Sequence, residues 1–183
     1  MDILSANQMM WVAFVIGHTA PLVFIALYYF KYISREIFSL YFLGVLVGLT
    51  WEIPFSLAGK SFHLILIDWP IDFPLVRNIA YSFIDGLIFI IGVYLSKIFL
   101  KNSDFLYKFN LNALVIMVFW GSFSEFLVDL NGNGKLWLFI DNWYNPVFIT
   151  INGNGLTVIP QLIWLIAPIA YYFTVLKCLS KIA

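Results

Sequence analysis

Five stretches of this chain are each long and apolar enough to cross the hydrocarbon core of a bilayer. That property leaves few folds open. A span needs about 20 mainly apolar residues, because a helix rises about 1.5 Å per residue across about 30 Å of hydrocarbon. Trp11–Phe30, Ile37–Gly59, Ile79–Ser96, Leu111–Leu130 and Leu156–Leu176 have that character. Only 11% of the 183 residues are charged, against about 25% in soluble domains. The expected fold is therefore all-α: one domain over residues 1–183, a five-transmembrane-helix bundle with little mass outside the membrane. The formal net charge is zero, so nothing suggests nucleic acid as a partner. The single cysteine, Cys178, has no partner for an intrachain disulfide and stands too far from the C-terminus for a prenylation box. The start, MDILSANQMM, lacks the basic residues of a cleavable signal, so the first span is expected to be retained.

The connections set an orientation. Lys31, Arg35, Lys97, Lys101, Lys108, Lys177 and Lys181 fall on one side of such a bundle, and Lys60, Arg77 and Lys135 on the other. The positive-inside rule then places the C-terminus in the cytoplasm and the N-terminus outside or in the lumen. The membrane would be the endoplasmic reticulum in a eukaryote or the inner membrane in a bacterium. The connection after span two, KSFHLILIDWPIDFPLVRN, is half apolar with two prolines and is expected along the interface. The connection after span four is bounded by NGNG at 131–134 and again at 152–155. Between these repeats, KLWLFIDNWYNPVFITI has strand-like composition with a turn near Asn145–Pro146. It predicts a small hairpin or re-entrant flap between helices four and five, with an ordinary glycine-turned loop as an equal alternative.

Polar residues inside the spans share one depth. Counting from the span ends, Glu52, Asp85, His18, Glu125 and Gln161 each fall about 8–10 Å below the outer edge of the core. Asp129 lies nearer the surface, and Trp164 lies a turn deeper than Gln161. Every span thus contributes a polar group to one outer layer. Ionisable residues within a membrane usually face a bundle interior or a cavity, and they mark function more often than packing. With 20% aromatic residues, the layer predicts a polar and aromatic cavity near the outer leaflet, roofed by the flap. Carboxylates held close together cannot all ionise, so at least one is expected to keep a proton and serve as an acid.

Glu52, Asp85, Glu125, Trp164 and Gln161 are the catalytic candidates. Trp51, His18, Asp129, Tyr81 and Trp120 are candidates for contacting the substrate. Each also has a plainer reading. Glu52 and Asp85 are explained almost as well by helix–helix hydrogen bonds, with Gly86 permitting close approach. Ser122 and Ser124 are placed to solvate Glu125. Asp129 fits a solvated helix end, His18 a satisfied core histidine, and a membrane tryptophan usually packs or anchors. No metal or cofactor is expected: the lone intramembrane histidine has no partner at ligand spacing. There is no phosphate loop, no nucleophile elbow, and no EF-hand in the NGNG pairs.

In span five, PQLIWLIAPIAYYF resembles the last helix of the emopamil-binding (EXPERA) superfamily. That helix carries an amide, two apolar residues, a tryptophan and then Leu-x-x-Pro. Here Gln161, Trp164, Leu165 and Pro168 take those places, with Gln for the family's Asn. The segment NPVFI is similar to the family's His-Pro and aromatic approach to that helix. Glu52 and Asp85 match its acids in spans two and three, with Asp for the family's Glu. Gly48 stands where the family isomerase has a histidine. A second resemblance joins TWEIPF and the span-three Asp to the integral-membrane terpene cyclases of fungi and bacteria, which protonate an alkene or epoxide from a span-two Glu.

Both resemblances imply acid–base chemistry on a hydrophobic isoprenoid or sterol-like lipid. A neutral carboxylic acid would protonate an alkene or epoxide. Trp164 and Trp51 would stabilise the carbocation, and a second carboxylate would remove a proton. The outcome is double-bond isomerisation or ring closure. The alternative is a non-catalytic binder of sterols or amphiphilic amines, like the sigma-2 receptor branch of the same superfamily. A proton-coupled transporter is a third reading, opposed by the lack of inverted repeats. The expected partners are a hydrophobic lipid and the membrane, with a homodimer possible and no nucleic acid.

Overall fold

The computed structural model describes residues 4–71, 73–151 and 153–179. Lys181, used in the charge tally, and Asn152, which opens the second NGNG, lie outside them. Five helices are long and apolar enough to cross a membrane. They are α1 (Ala6–Tyr29), α2 (Arg35–Ala58), α3 (Pro74–Leu100), α4 (Leu111–Gly132) and α5 (Val158–Leu179). Local chemistry fixes their ends more tightly than hydropathy does. Ser5 and Gln8 form a reciprocal capping box that starts α1 five residues before Trp11. The Ser34 hydroxyl accepts from the Ile37 amide at 3.2 Å, and Asn110 accepts from the Ala113 amide at 3.1 Å. Pro74 opens α3 at a position whose missing N–H leaves no bond unmade. That start draws Arg77 and Asn78 out of the preceding loop and into the helix.

Four helices pack in a closed circuit, α2 on α3, α3 on α4, α4 on α5 and α5 back on α2. Helix α1 leans outside this circuit, mainly on α3, where a Cβ on Gly17 would meet the Ala80 carbonyl oxygen at 2.7 Å. The closest pairing is α2 with α3. It rests on small residues: Gly44 and Gly48, four apart on α2, face Gly86 and Asp85 on α3. In a membrane such faces supply the backbone approach that the hydrophobic effect cannot. Buried phenols pin the circuit to backbone. The Tyr41 hydroxyl donates to Phe83 O at 3.2 Å, Tyr171 to Leu40 O at 3.0 Å and Tyr172 to Phe105 O at 2.9 Å. Beyond the far helix ends, the Tyr107 hydroxyl donates to the Glu36 carboxylate, and this bond holds the phenol above its usual pKa.

The connections depart from the expected pattern, and the protein is not purely helical. Strand β1 (His63–Ile65), from the α2–α3 connection, pairs antiparallel with β2 (Trp137–Phe139), from the α4–α5 connection. The stretch predicted to lie along the interface is thus half of a ribbon. Strand β3 (Val147–Ile151) pairs antiparallel with β4 (Asn154–Thr157), not with β2. The hairpin therefore turns near Gly153, at φ 82°, rather than near Asn145–Pro146. Two asparagines explain the split. Asn133 accepts from the Phe139 amide at 3.3 Å and donates to Gly155 O at 2.7 Å. Asn145 donates to Ile140 O at 3.2 Å and accepts from the Ile159 amide at 2.9 Å. The two NGNG segments meet in space: a Cβ on Gly134, at φ 78°, would fall 2.2 Å from Asn154 Oδ1. Phe62, Trp69, Leu136, Trp137, Phe139 and Met10 form a second small core beneath the ribbon.

Candidate functional site

A cavity of about 290 Å³ lies among the five helices and under the β1–β2 ribbon. Helix periodicity brings its walls together. Tyr81, Ile84, Asp85 and Ile88 form one stripe of α3, Trp51, Glu52 and Phe55 one turn of α2, and Glu125, Val128 and Asp129 one turn of α4. Pro160, Ile163 and Trp164 come from α5, and His63, Leu136, Trp137 and Phe139 close the ribbon end. Helix α1 contributes Met9, Val12, Ala13 and Ile16. Val12, Ile16 and Val128 are 47%, 39% and 41% exposed, so the rim between α1 and α4 is apolar and faces the outside of the helices.

Four carboxylates line this one space, and all are buried: Glu52, Asp85, Glu125 and Asp129. They differ in their partners. Asn78, 1% exposed, donates its amide to Glu52 Oε2 at 2.8 Å. Asp129 accepts from Gln161 at 2.9 Å and from the Trp137 indole at 3.4 Å. Asp85 Oδ2 has no hydrogen-bond partner in the protein, and it lies over Gly48. Ser122 and Ser124, expected to solvate Glu125, turn to backbone instead: Ser122 donates to Trp164 O at 3.3 Å and Ser124 to Gly121 O at 2.9 Å. The Ser122 bond joins α4 to α5, and the Ser124 bond within its own turn is the ordinary fate of a helical serine.

The tryptophans form the aromatic wall. Trp51 and Trp164 meet edge to face at 5.6 Å, and Phe89 stacks on Trp164 at 5.3 Å. Gly121 leaves the room that Trp164 and Pro168 fill.

Three further polar side chains were not singled out from sequence. Asn78 is one. Arg77, 8% exposed, acts electrostatically on both Glu52 and His63. His63 stacks on Phe139 at 4.8 Å; burial, aided by the Arg77 charge, pushes its pKa down to about 3, so the ring is neutral. Pro74 was the available signal for Arg77 and Asn78, since proline favours the first helical position. Nothing local marks His63, whose place depends on its strand partner Phe139, 76 residues away.

Of the sequence candidates, Glu52, Asp85, Glu125, Asp129, Trp51, Tyr81 and Trp164 line the cavity. Gln161 reaches it through Asp129. Trp120 and His18 are not among the lining residues. The Trp120 indole donates to Ile88 O at 2.9 Å, locking α4 to α3. His18 Nδ1 sits 2.7 Å from Phe14 O within its own helix, and its ring packs on Phe14. Among the described residues no three His, Cys, Asp or Glu side chains form a metal-holding group. No protein-family model, curated protein or solved structure matches the chain.

Proposed function

We propose that this protein is an intramembrane acid–base enzyme that moves a double bond, or starts a ring closure, in an isoprenoid or sterol-like lipid. The observation that carries the reading is the convergence of four buried carboxylates and two tryptophans in edge-to-face contact on one cavity. Buried carboxylates are expensive to hold in a membrane, and four in one space are more than helix packing requires. The resemblances to the EXPERA superfamily and to membrane terpene cyclases are part of the same proposal.

The hydrogen bonds suggest a division of roles. Glu52 and Asp129 accept from side-chain donors, as carboxylates do. Asp85 Oδ2 has no donor and is taken as the protonated acid. Its proton would form a C–H bond at one alkene carbon and leave a cation at the other. Trp51 and Trp164 would face that cation. Glu52 would take a proton from the neighbouring carbon, so that a new double bond forms. A proton passing from Glu52 back to Asp85 resets the pair, and the isomerisation balances without a co-reactant. The ribbon is read as the roof that excludes water from the cation. In the membrane it would face the outer side, with the C-terminus in the cytoplasm and the α1–α4 rim open to lipid.

A second reading is favoured by the charge count. Glu52, Asp85, Glu125 and Asp129 line the cavity, and no Lys or Arg among the described residues lines it, a balance that suits a bound ammonium. The protein would then hold an amphiphilic amine or sterol without converting it.

The test is lipid mass spectrometry of cells with and without the gene, repeated with Glu52→Gln and Asp85→Asn. The enzyme reading expects an isomeric lipid pair whose ratio depends on the gene and collapses in both variants. Unchanged lipid ratios, or full activity in both folded variants, would overturn it.

A further inference from the structure

We propose that the ligand carries one neutral hydroxyl group, held at the ribbon end of the cavity between Tyr81 and His63. The inference rests on the reading of the cavity as a lipid site and adds the polar feature by which the lipid is recognised. Tyr81 Oη and His63 Nε2 are both buried, both belong to cavity-lining residues, and neither has a hydrogen-bond partner in the protein. A buried polar atom left without a hydrogen bond is costly to the fold. Two such atoms, on residues that line one cavity and pack on the same tryptophan, point to a place where a ligand completes the set.

The two rings are held as a pair. Each packs edge to face on Trp137, Tyr81 at 6.0 Å and His63 at 6.3 Å between ring centroids. Trp137 is itself fixed by its bond to Asp129. His63 is further clamped by its stack on Phe139 and by the β1–β2 pairing. Trp69 packs edge to face on Tyr81 at 5.3 Å from another side. The orphan atoms are therefore placed by packing.

The chemistry of the two atoms selects the group. A phenol both donates and accepts, and a neutral imidazole nitrogen does one or the other according to its tautomer. A hydroxyl can complement both in either tautomer. A carbonyl or ether oxygen only accepts, and a hydrocarbon does neither. A carboxylate or phosphate would share the cavity with four acidic side chains. Tyr81 precedes Asp85 by four residues on α3, so the hydroxyl would sit about 6 Å from the proposed acid along the helix. The ligand would then be an isoprenoid alcohol, its oxygen under the ribbon and its double bond near Asp85 and the tryptophans.

The test uses the full chain in phosphatidylcholine nanodiscs, with farnesol and the hydrocarbon farnesene as probes. Binding is followed by intrinsic tryptophan fluorescence and expressed per mole of bilayer lipid, which removes the difference in partitioning. Farnesol is expected to bind at least tenfold more tightly than farnesene. Tyr81→Phe and His63→Phe, each preserving an aromatic ring, are expected to reduce that ratio severalfold, through weaker farnesol binding. Equal affinities, binding of neither probe, or an unchanged ratio in both variants overturns the hydroxyl seat. If Tyr81→Phe does not fold, the wild-type ratio and His63→Phe decide. The outcome is separable from the acid–base reading: a hydroxyl preference alongside unimpaired lipid conversion in Glu52→Gln and Asp85→Asn would keep the seat and remove the mechanism.

Discussion

A Cβ placed on Gly48 would stand 2.6 Å from Oδ2 of Asp85, so the turn of α2 before Glu52 is the floor on which the α3 carboxylate rests. No flexible side-chain tip separates them, because the Asp85 Cβ would also lie at 3.0 Å. Gly48→Ala must therefore move the carboxylate or push α2 from α3. Overpacking of this kind destabilises by about 1–3 kcal/mol. The expected result is a lower thermal midpoint together with, on the proposed acid–base function, a loss of lipid conversion. Gly92→Ala, whose nearest contact is 3.3 Å from Trp120, should show a much smaller loss of both.

Asn78 supplies the donor to Glu52 from a fully enclosed position. Asn78→Leu removes that donor and leaves the carboxylate oxygen buried without it. Loss of one partner of such a pair costs about 1–3 kcal/mol. Thermal unfolding in detergent should register this, and the double variant Asn78→Leu with Glu52→Gln should recover part of it. Additive losses would show that the pair is not coupled.

His63 gives the protein a defined acid sensitivity. Its folded pKa of about 3 lies below the ordinary value of 6.5, so folding favours the neutral ring. That contribution is complete above about pH 6.5 and is lost as pH falls towards about 3, because the unfolded chain binds a proton that the folded chain does not. Through this window the group should remove about 1.4 kcal/mol of stability per pH unit. The measurement compares thermal midpoints of wild type and His63→Phe from pH 7 to pH 4. The wild-type midpoint should fall relative to that of His63→Phe as the pH falls, and parallel curves would count against a buried neutral His63.

The tryptophans should separate by role. Trp164→Leu removes a ring from the cavity wall, while Trp120→Leu removes a helix–helix bond outside it. If Trp164 faces a cation, its loss forfeits about 1–2 kcal/mol of transition-state stabilisation, or about 5–30-fold in rate. Trp120→Leu should lower the thermal midpoint while leaving kcat within about twofold. Equal effects on kcat would show that both act only through packing.

Asn133 joins the ribbon to the β3–β4 hairpin through two bonds. Asn133→Ala should cost about 2 kcal/mol and raise amide exchange at Phe139 above that of α2 and α3. Exchange that rises equally throughout would mean that the ribbon opens only with global unfolding.

The sequence by itself determined the five helices and the layer of acids, because both follow from local rules. A run of about 20 apolar residues is sufficient to specify a span, and a rise of about 1.5 Å per residue converts position into depth. Glu52, Asp85 and Glu125 could be placed at similar heights on that basis, with Asp129 nearer the surface, and all four line one cavity. Depth does not give azimuth. Which way a residue faces depends on the neighbouring helix, and the low amphipathicity of apolar spans leaves that direction unmarked. Trp120 shares α4 with Glu125, and His18 shares the depth of the acids, but one locks α4 to α3 and the other bonds within α1. Only the tertiary structure decided the roof. Strand pairing is a contact between distant segments, and three residues of β1 carry no sign of their partner in β2. The same contact brought His63 over the cavity and set its orphan nitrogen at the end where Tyr81 stands.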